Sequence, residues 1–397
     1  MEVSPSLPVT IAPAPHGIYL RLSTFYLFYF GALGALVPYW SVYLQAQGLR
    51  PKEIGELIAL FSITRIIAPN VWGYVADRSG MRMPIVRLAT GLAAANFLVV
   101  LWVHSFWGLA VVMSLFTFFW HAALPQMETI VIDHLGAGRY GRVRLWGSVG
   151  FITVVLLVGP LLDRFGIQTL PWVLLVLYTG LWLSSLMVPE APVANRSLSS
   201  PSFSWVMGRP EVVTFLVVCF LMQASHGPYY TFYSIYLETH GNNRTLISEL
   251  WALGVIAEVG AFLVVGRWLL HYGTNRLLHL TLGLATLRWL LIGTGVDYLP
   301  ILILAQLLHA ATFGVYHATA IHIVHNLFTG SHQVRGQALY SSLGFGAGGA
   351  LGSLYAGYFW DWLGPAGTFG MAAAISASAL VILYQGQNLA VSNERLY

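Results

Sequence analysis

Polar residues are spaced along this chain so that they leave apolar stretches of roughly 20 residues, the length an α-helix needs to cross a bilayer. The stretches recur from Leu20–Leu44 through Phe369–Leu389, and about twelve can be counted. Backbone amides in lipid must find partners within their own segment, so each stretch is predicted to be a helix. The pattern predicts an all-α membrane protein of about twelve transmembrane helices. Composition agrees: 57% of the 397 residues are hydrophobic and 9% are charged, where a soluble domain has roughly a quarter charged.

The pattern also repeats. Displaced by 193 residues, SVYLQAQGLRPKEIGELIAL from Ser41 aligns without gaps on SIYLETHGNNRTLISELWAL from Ser234. Ser41, Tyr43, Leu44, Gly48, Glu56, Leu57, Ala59, Leu60 and Ile63 all meet identical residues, and Gly73 and Gly80 fall on Gly266 and Gly273. Shared apolar positions are cheap in such a sequence; shared glycines and a shared glutamate are not. Two pseudo-symmetric six-helix bundles are implied, a parallel repeat: residues 1–188 and 211–397. Between them residues 189–210, with PEAPVANRSLSSPSFSW from Pro189, read as a Pro- and Ser-rich linker.

Charge adds a direction. Basic residues gather in alternate loops, Arg78 and Arg82, Arg139 and Arg142, Arg196 and Arg209, Arg267 and Arg276, then Arg335, while the opposite loops hold Arg50, Lys52, Arg164 and Arg244. The richer set is expected in the cytoplasm together with both termini. The net charge of +4 thus reflects topology, and nucleic acid is not an implied partner. The first sixteen residues carry no Lys or Arg, unlike the start of a signal peptide, so the first span is expected to be retained. Cys219 is the only cysteine and Lys52 the only lysine, which excludes cysteine-based metal sites, a phosphate-loop ATPase and a lysine Schiff base within a span. No cofactor or metal is implied.

GYVADRSGMR, from Gly73 to Arg82, follows the second span. Gly73 and Gly80 permit a tight turn, and Asp77 is placed to pair with arginines at neighbouring helix ends. With Arg78 and Arg82, these residues resemble the loop signature of the major facilitator superfamily, which implies that fold and a gating role for the loop. The second copy, GRWLLHYGTNR, keeps Gly266 and Gly273 but has Leu270 and His271 in place of the acid and arginine.

Ionisable residues at bilayer depth are costly, about 2.5–3.5 kcal/mol each, and mark pathways, relays or ion pairs. Here they are Arg65, Glu128, Arg144, Glu258 and Arg288, and Arg65 superposes on Glu258 in the repeat. LPQMETIVIDHLGAGRYGRVRLWGSVGF, from Leu124, resembles the fourth and fifth helices of lactose permeases. That resemblance implies a substrate-binding pair of Glu128 with Arg144, a sugar-contacting role for Glu258, and proton-linked roles for Arg288 and His309. It departs at Thr312, where a proton-carrying acid would stand, leaving Glu128 and Glu258 as carriers. One proton crossing 100 mV supplies about 2.3 kcal/mol, roughly fifty-fold accumulation. Fixed structural pairing of Glu258 with Arg288 and Glu128 with Arg144 is the competing reading.

His226, Tyr229, Tyr230 and Tyr233 share a helical face beside Gly227 and Pro228 and are expected to line the substrate site, with His309 and His317 on the tenth span. Gly344, Gly348, Gly352 and Ala356 form a small-residue ridge suited to close packing. LVPYWSVYLQAQGL, YGRVRLWGSVGF, HGPYYTFYSIYL, GVIAEV and LHAATFGVYHATA together resemble the phenylpropionate permease branch of the superfamily. This implies proton-coupled uptake of a small aromatic carboxylate across a bacterial inner membrane, by a monomer whose partners are substrate, proton and lipid. The arginines would take the carboxylate and the tyrosines the ring. A sugar or nucleoside symporter is the alternative, and an intramembrane enzyme with His309 or His317 as base the alternative of another class.

Overall fold

The computed structural model describes residues 16–190, 208–328 and 332–394. Among the described residues ten helices are long and apolar enough to cross a membrane, and two of them, Arg244–Thr294 (51 residues) and Arg335–Gly386 (52 residues), have the length of two crossings. Each of the two is broken by a glycine in the left-handed region, Gly273 (φ 77°) and Gly364 (φ 70°). Twelve membrane-length segments result, and the chain is an integral membrane protein. The first six are α1 His16–Ala46, α2 Pro51–Ser79, α3 Met83–Leu98, α4 Phe106–Leu135, α5 Ala137–Phe165 and α6 Leu170–Leu186. The second six are α7 Pro210–Thr239, α8 over 244–272, α9 over 274–294, α10 Leu299–Leu327, α11 over 332–363 and α12 over 365–394. Most of the expected linker, 191–207, lies outside the described residues.

The repeat is visible in the backbone. α2 begins at Pro51 and α8 at Arg244, 193 residues later. The turns before and after them use matched glycines in the left-handed region: Gly48 (φ 88°) with Gly241 (φ 80°), and Gly80 (φ 67°) with Gly273 (φ 77°). A side chain at these angles would be strained, which is why the glycines persist in both copies. Three segments depart from plain α-helix. α7 is interrupted at His226 and restarts at Gly227–Pro228, a restart that proline favours. α10 and α11 each contain a π-helical turn, Ala310–Val315 and Ser342–Gly348, a feature common at functional sites.

In the first half α1 packs on α5 and α6, and α4 on α2 and α3. In the second, α7 lies against α11 along the small-residue ridge and α9 against α12. The two halves are sealed at one end. There Tyr39 Oη donates to the Arg244 carbonyl (2.7 Å) and Tyr358 Oη to Glu56 (2.8 Å). Asp163, at the end of α5, accepts from the Arg244 and Thr245 amides (3.0 and 2.9 Å) and from Thr245 Oγ1 (2.6 Å), capping α8 across the interface. Helix backbones touch here: a Cβ added at Gly55 would lie 2.8 Å from Gly357 Cα, and one at Gly159 2.6 Å from the Arg244 carbonyl. Contacts between α2 and α11 continue to mid-helix, where Ile66 meets Gly346. Toward the other end the repeat glycines Gly73 and Gly266 face open space.

Candidate functional site

Just beyond the sealed layer, at mid-helix, the ionisable residues come together from both halves. Arg65, Glu128, Arg144, Tyr230, Glu258 and His317 are all half-buried. Charged groups held this way in a span make the space between the bundles the candidate substrate path.

In the first half the charges rest on rings and hydroxyls. The Arg144 guanidinium lies 3.7 Å from the centre of the Phe30 ring on α1. Glu128 accepts from Tyr140 Oη (3.0 Å), one turn before Arg144 on α5. The direct pair of Glu128 with Arg144 that the lactose permease resemblance implied is therefore not formed. Tyr140 takes the acid and Phe30 takes the cation, because α1 packs along this face of α5. Arg65 reaches across the halves and lies 4.7 Å over the ring of Phe345, in the π-turn of α11. It forms no hydrogen bond and no ion pair among the described residues. Tyr29, Tyr230, Tyr340 and Glu128 lie within electrostatic reach of it.

The second half is arranged differently. Glu258 on α8 stands 3.6 Å from His309 Nε2 on α10. The π-turn of α10 brings Gly314 so close that a Cβ there would lie 3.0 Å from Glu258 Cγ. Glycine at 314 thus makes room for the carboxylate. Arg144, from the other half, and the His317 imidazole lie within electrostatic reach of Glu258. His309 stacks on Phe313 (5.3 Å between ring centres, 9° apart), and His317 bonds Tyr340 Oη through Nδ1 (3.0 Å). Glu258 does not pair with Arg288. That arginine is fully buried, 0% exposed, and donates to the Ala305 carbonyl (2.9 Å) and Thr312 Oγ1 (3.1 Å).

The aromatic face of α7 lines the path only in part. Tyr230 reaches it, whereas His226, Tyr229 and Tyr233 are buried inside the second half. His226 donates through Nδ1 to the Met222 carbonyl (2.8 Å) and sets its ring edge-on to Trp289 (4.8 Å). Tyr229 packs on Trp251 (4.6 Å) and donates to Gln306 Oε1 (2.9 Å). The indoles of Trp251 and Trp289 hold these three residues away from the path.

The gating loop turns at Gly80 as expected, but Asp77 pairs with Arg82 of its own loop (3.4 Å), and Arg78 donates to Tyr74 Oη (3.0 Å). Arg82 is the N-cap of α3, so Asp77 meets that helix end and no other among the described residues. The amides of Arg82 and Met83 are capped by Glu190, from the segment after α6 (3.3 and 3.0 Å).

Phe30, Tyr140, Phe313 and Phe345 belong to the site and were missed in the sequence, because their placement depends on how the helices pack. Gln306, three residues before His309, was missed as well and is buried behind the path with Tyr229. Among the described residues no cluster of His, Cys, Asp or Glu could hold a metal ion.

Comparison with known proteins identifies the family. The chain is 30% identical over 379 residues to the probable 3-phenylpropionic acid transporter of Escherichia coli (strain K12), covering 90% of this chain and 95% of that one. It is 28% identical over 352 residues to the maltose permease of Geobacillus stearothermophilus, covering 86% and 88%. Among solved structures a mutant of the nucleoside transporter NupG superposes with a TM-score of 0.84 at 17% identity, covering 93% of this chain and 99% of that one; this likeness bears on the fold alone. The MFS_1 like family matches residues 19–371. With that match, the relatives and the twelve-segment fold in agreement, the chain belongs to the MFS_1 like family and is a transporter of the major facilitator type.

Proposed function

We propose that this transporter takes up a small aromatic carboxylate together with protons, by alternating access between two bundles. Arg65 carries the reading. It is a guanidinium in the path with no acid bound to it, lying over Phe345 and within reach of Tyr230. A carboxylate would supply the missing counter-charge through charge-assisted hydrogen bonds, and its ring would find aromatic neighbours on either side. The printed name of the Escherichia coli relative, a probable 3-phenylpropionic acid transporter, fits this chemistry.

Protons would enter through Glu258 and His309, which stand in contact beside the path, and through Glu128 under Tyr140. Desolvation of a carboxylate as the path closes favours its neutral form, and an approaching cation such as Arg144 reverses that preference. Loading and release would thus follow the conformational cycle. The end rich in Arg78, Arg82, Arg139, Arg142, Arg267 and Arg276 would face the cytoplasm of a bacterial inner membrane. The sealed layer around Asp163, Gly55 and Gly159 would then be the outer gate, closed in the state described.

Sugar or nucleoside symport is the second reading, favoured by the contact of Glu258 with His309 in the positions the lactose permease resemblance marks. Proteoliposomes with an imposed proton gradient separate the two. Uptake of 3-phenylpropionate should exceed that of lactose and of nucleosides, and a proton ionophore should abolish its accumulation. The reverse order of substrates would overturn the carboxylate; accumulation indifferent to the ionophore would overturn the coupling.

A further inference from the structure

Arg288 poses a separate problem. Its side chain is 0% exposed, and its recorded partners are all neutral: the Ala305 carbonyl, the Thr312 hydroxyl, and the faces of Tyr229 (4.2 Å) and Trp289 (4.7 Å). No carboxylate lies within ion-pair distance of it among the described residues. A buried charge left without a counter-charge is strongly unfavourable. One guanidinium nitrogen, Nη2, has no partner.

Two more unpartnered donors sit in the same layer. Gln306 Oε1 accepts from Tyr229 Oη, which orients the amide and leaves Nε2 as the free end, buried and without a partner. The buried Tyr233 hydroxyl lies against Gln306, which interacts with its oxygen, and within electrostatic reach of Arg288; its proton has no acceptor. One full positive charge and three donors therefore gather between α7, α9 and α10, walled by Tyr229 and Trp289. Arg288 Nη2 and Gln306 Nε2 can only donate, and the Tyr233 hydroxyl can donate as well, which suits an anion. The aromatic walls and complete burial match a small, weakly hydrated one.

We infer that Arg288, Gln306 and Tyr233 form a binding site for a monovalent halide, chloride in the cell, inside the second half and apart from the substrate path. The bound halide supplies the counter-charge that the chain itself omits. It also ties α9 to α10 beside His309, so transport depends on it.

The test uses the purified full-length protein and needs no transport, so its failure is distinct from failure of the carboxylate reading. At constant ionic strength, replacing isethionate by chloride should raise the melting temperature by about 2–4 °C at saturation, and bromide should act alike. Tyr233→Phe, which removes one donor and keeps the ring, should raise the half-saturating chloride concentration about tenfold. Arg288→Gln should abolish the shift. If that variant fails to fold, Tyr233→Phe and the anomalous signal of bromide in crystals, expected against Arg288 Nη2, decide the matter. Equal melting in the two salts would overturn the site, leaving the donors to water. So would a chloride shift unchanged by Tyr233→Phe, or bromide located elsewhere. Displacement of the bromide by 3-phenylpropionate would also overturn it, by making the pocket part of the substrate path.

Discussion

The two halves share a frame and differ in chemistry. Their turns carry the same glycines at the same angles, Gly48 with Gly241 and Gly80 with Gly273. At mid-helix the equivalence stops. The first half presents Arg65 and Arg144 to the path, each resting on a phenyl ring. The second presents Glu258 against His309 and hides its own arginine, Arg288, in an aromatic interior. Backbone geometry constrains a turn whatever the protein carries, so the turns stay matched. Charge in the path is set by cargo and driving ion, so there the copies separate. The proposed division is an anion receptor in one half, with Glu128 beside it, and the main proton site, Glu258 with His309, in the other.

Removing the receptor should have the largest effect. Arg65→Gln keeps a polar side chain but loses the charge, and a charge-assisted contact in a desolvated site contributes about 1.5–3 kcal/mol, so carboxylate uptake should fall roughly 10- to 150-fold in kcat/KM. Arg65→Lys should recover part of this. Equal transport by Arg65→Gln would move the receptor to Arg144. The proton site should fail in another way. Glu258→Gln should reduce accumulation at 100 mV by roughly fifty-fold, the whole contribution of one proton, while exchange of labelled for unlabelled substrate continues. Loss of exchange as well would place Glu258 in the receptor and erase the division.

These assignments show what the sequence could and could not disclose. Span number, the repeat and the special glycines were legible, because the bilayer demands apolar length and a left-handed backbone demands glycine. The charged residues were legible as a set for the same reason of cost. Their partners were not. Tyr140 takes Glu128 only because of how α4 and α5 cross, and Phe345 underlies Arg65 from the other half of the chain. The face of α7 was read correctly as polar-tipped and aromatic, but its periodicity carries no information about depth. Trp251 and Trp289, more than 17 residues away in sequence from most of what they cover, turn Tyr229 and Tyr233 inward.

The sealed end offers a comparison of a different kind, because there the halves meet backbone to backbone. Gly159→Leu would drive a side chain into Ser248 and the Arg244 carbonyl, 2.6 Å from where its Cβ would sit. Overpacking of this sort costs about 1–3 kcal/mol, charged only against the sealed state. In a Cys219→Ser background, a cysteine at Tyr39 should then react about tenfold faster with an impermeant maleimide applied at that end. An unchanged rate would show that the contact is not what holds the end shut.

The smallest effect is expected at the loop that first suggested the superfamily. Asp77 and Arg82 form a pair 3.4 Å long in which the acid is 75% exposed, and exposed pairs of this kind contribute about 0–1 kcal/mol. Their counterparts in the second half are absent altogether, since Leu270 replaces the acid. If the loop matters only as a turn, Asp77→Asn should lower uptake by less than about threefold, and Gly80→Val should do more damage, because Gly80 is left-handed and valine is strained there. A loss of tenfold or more with Asp77→Asn would reverse that ranking. The acid would then have to find a stronger partner once the sealed end opens and the arginine-rich end closes, and the asymmetry between the halves would extend from the substrate path to the gate.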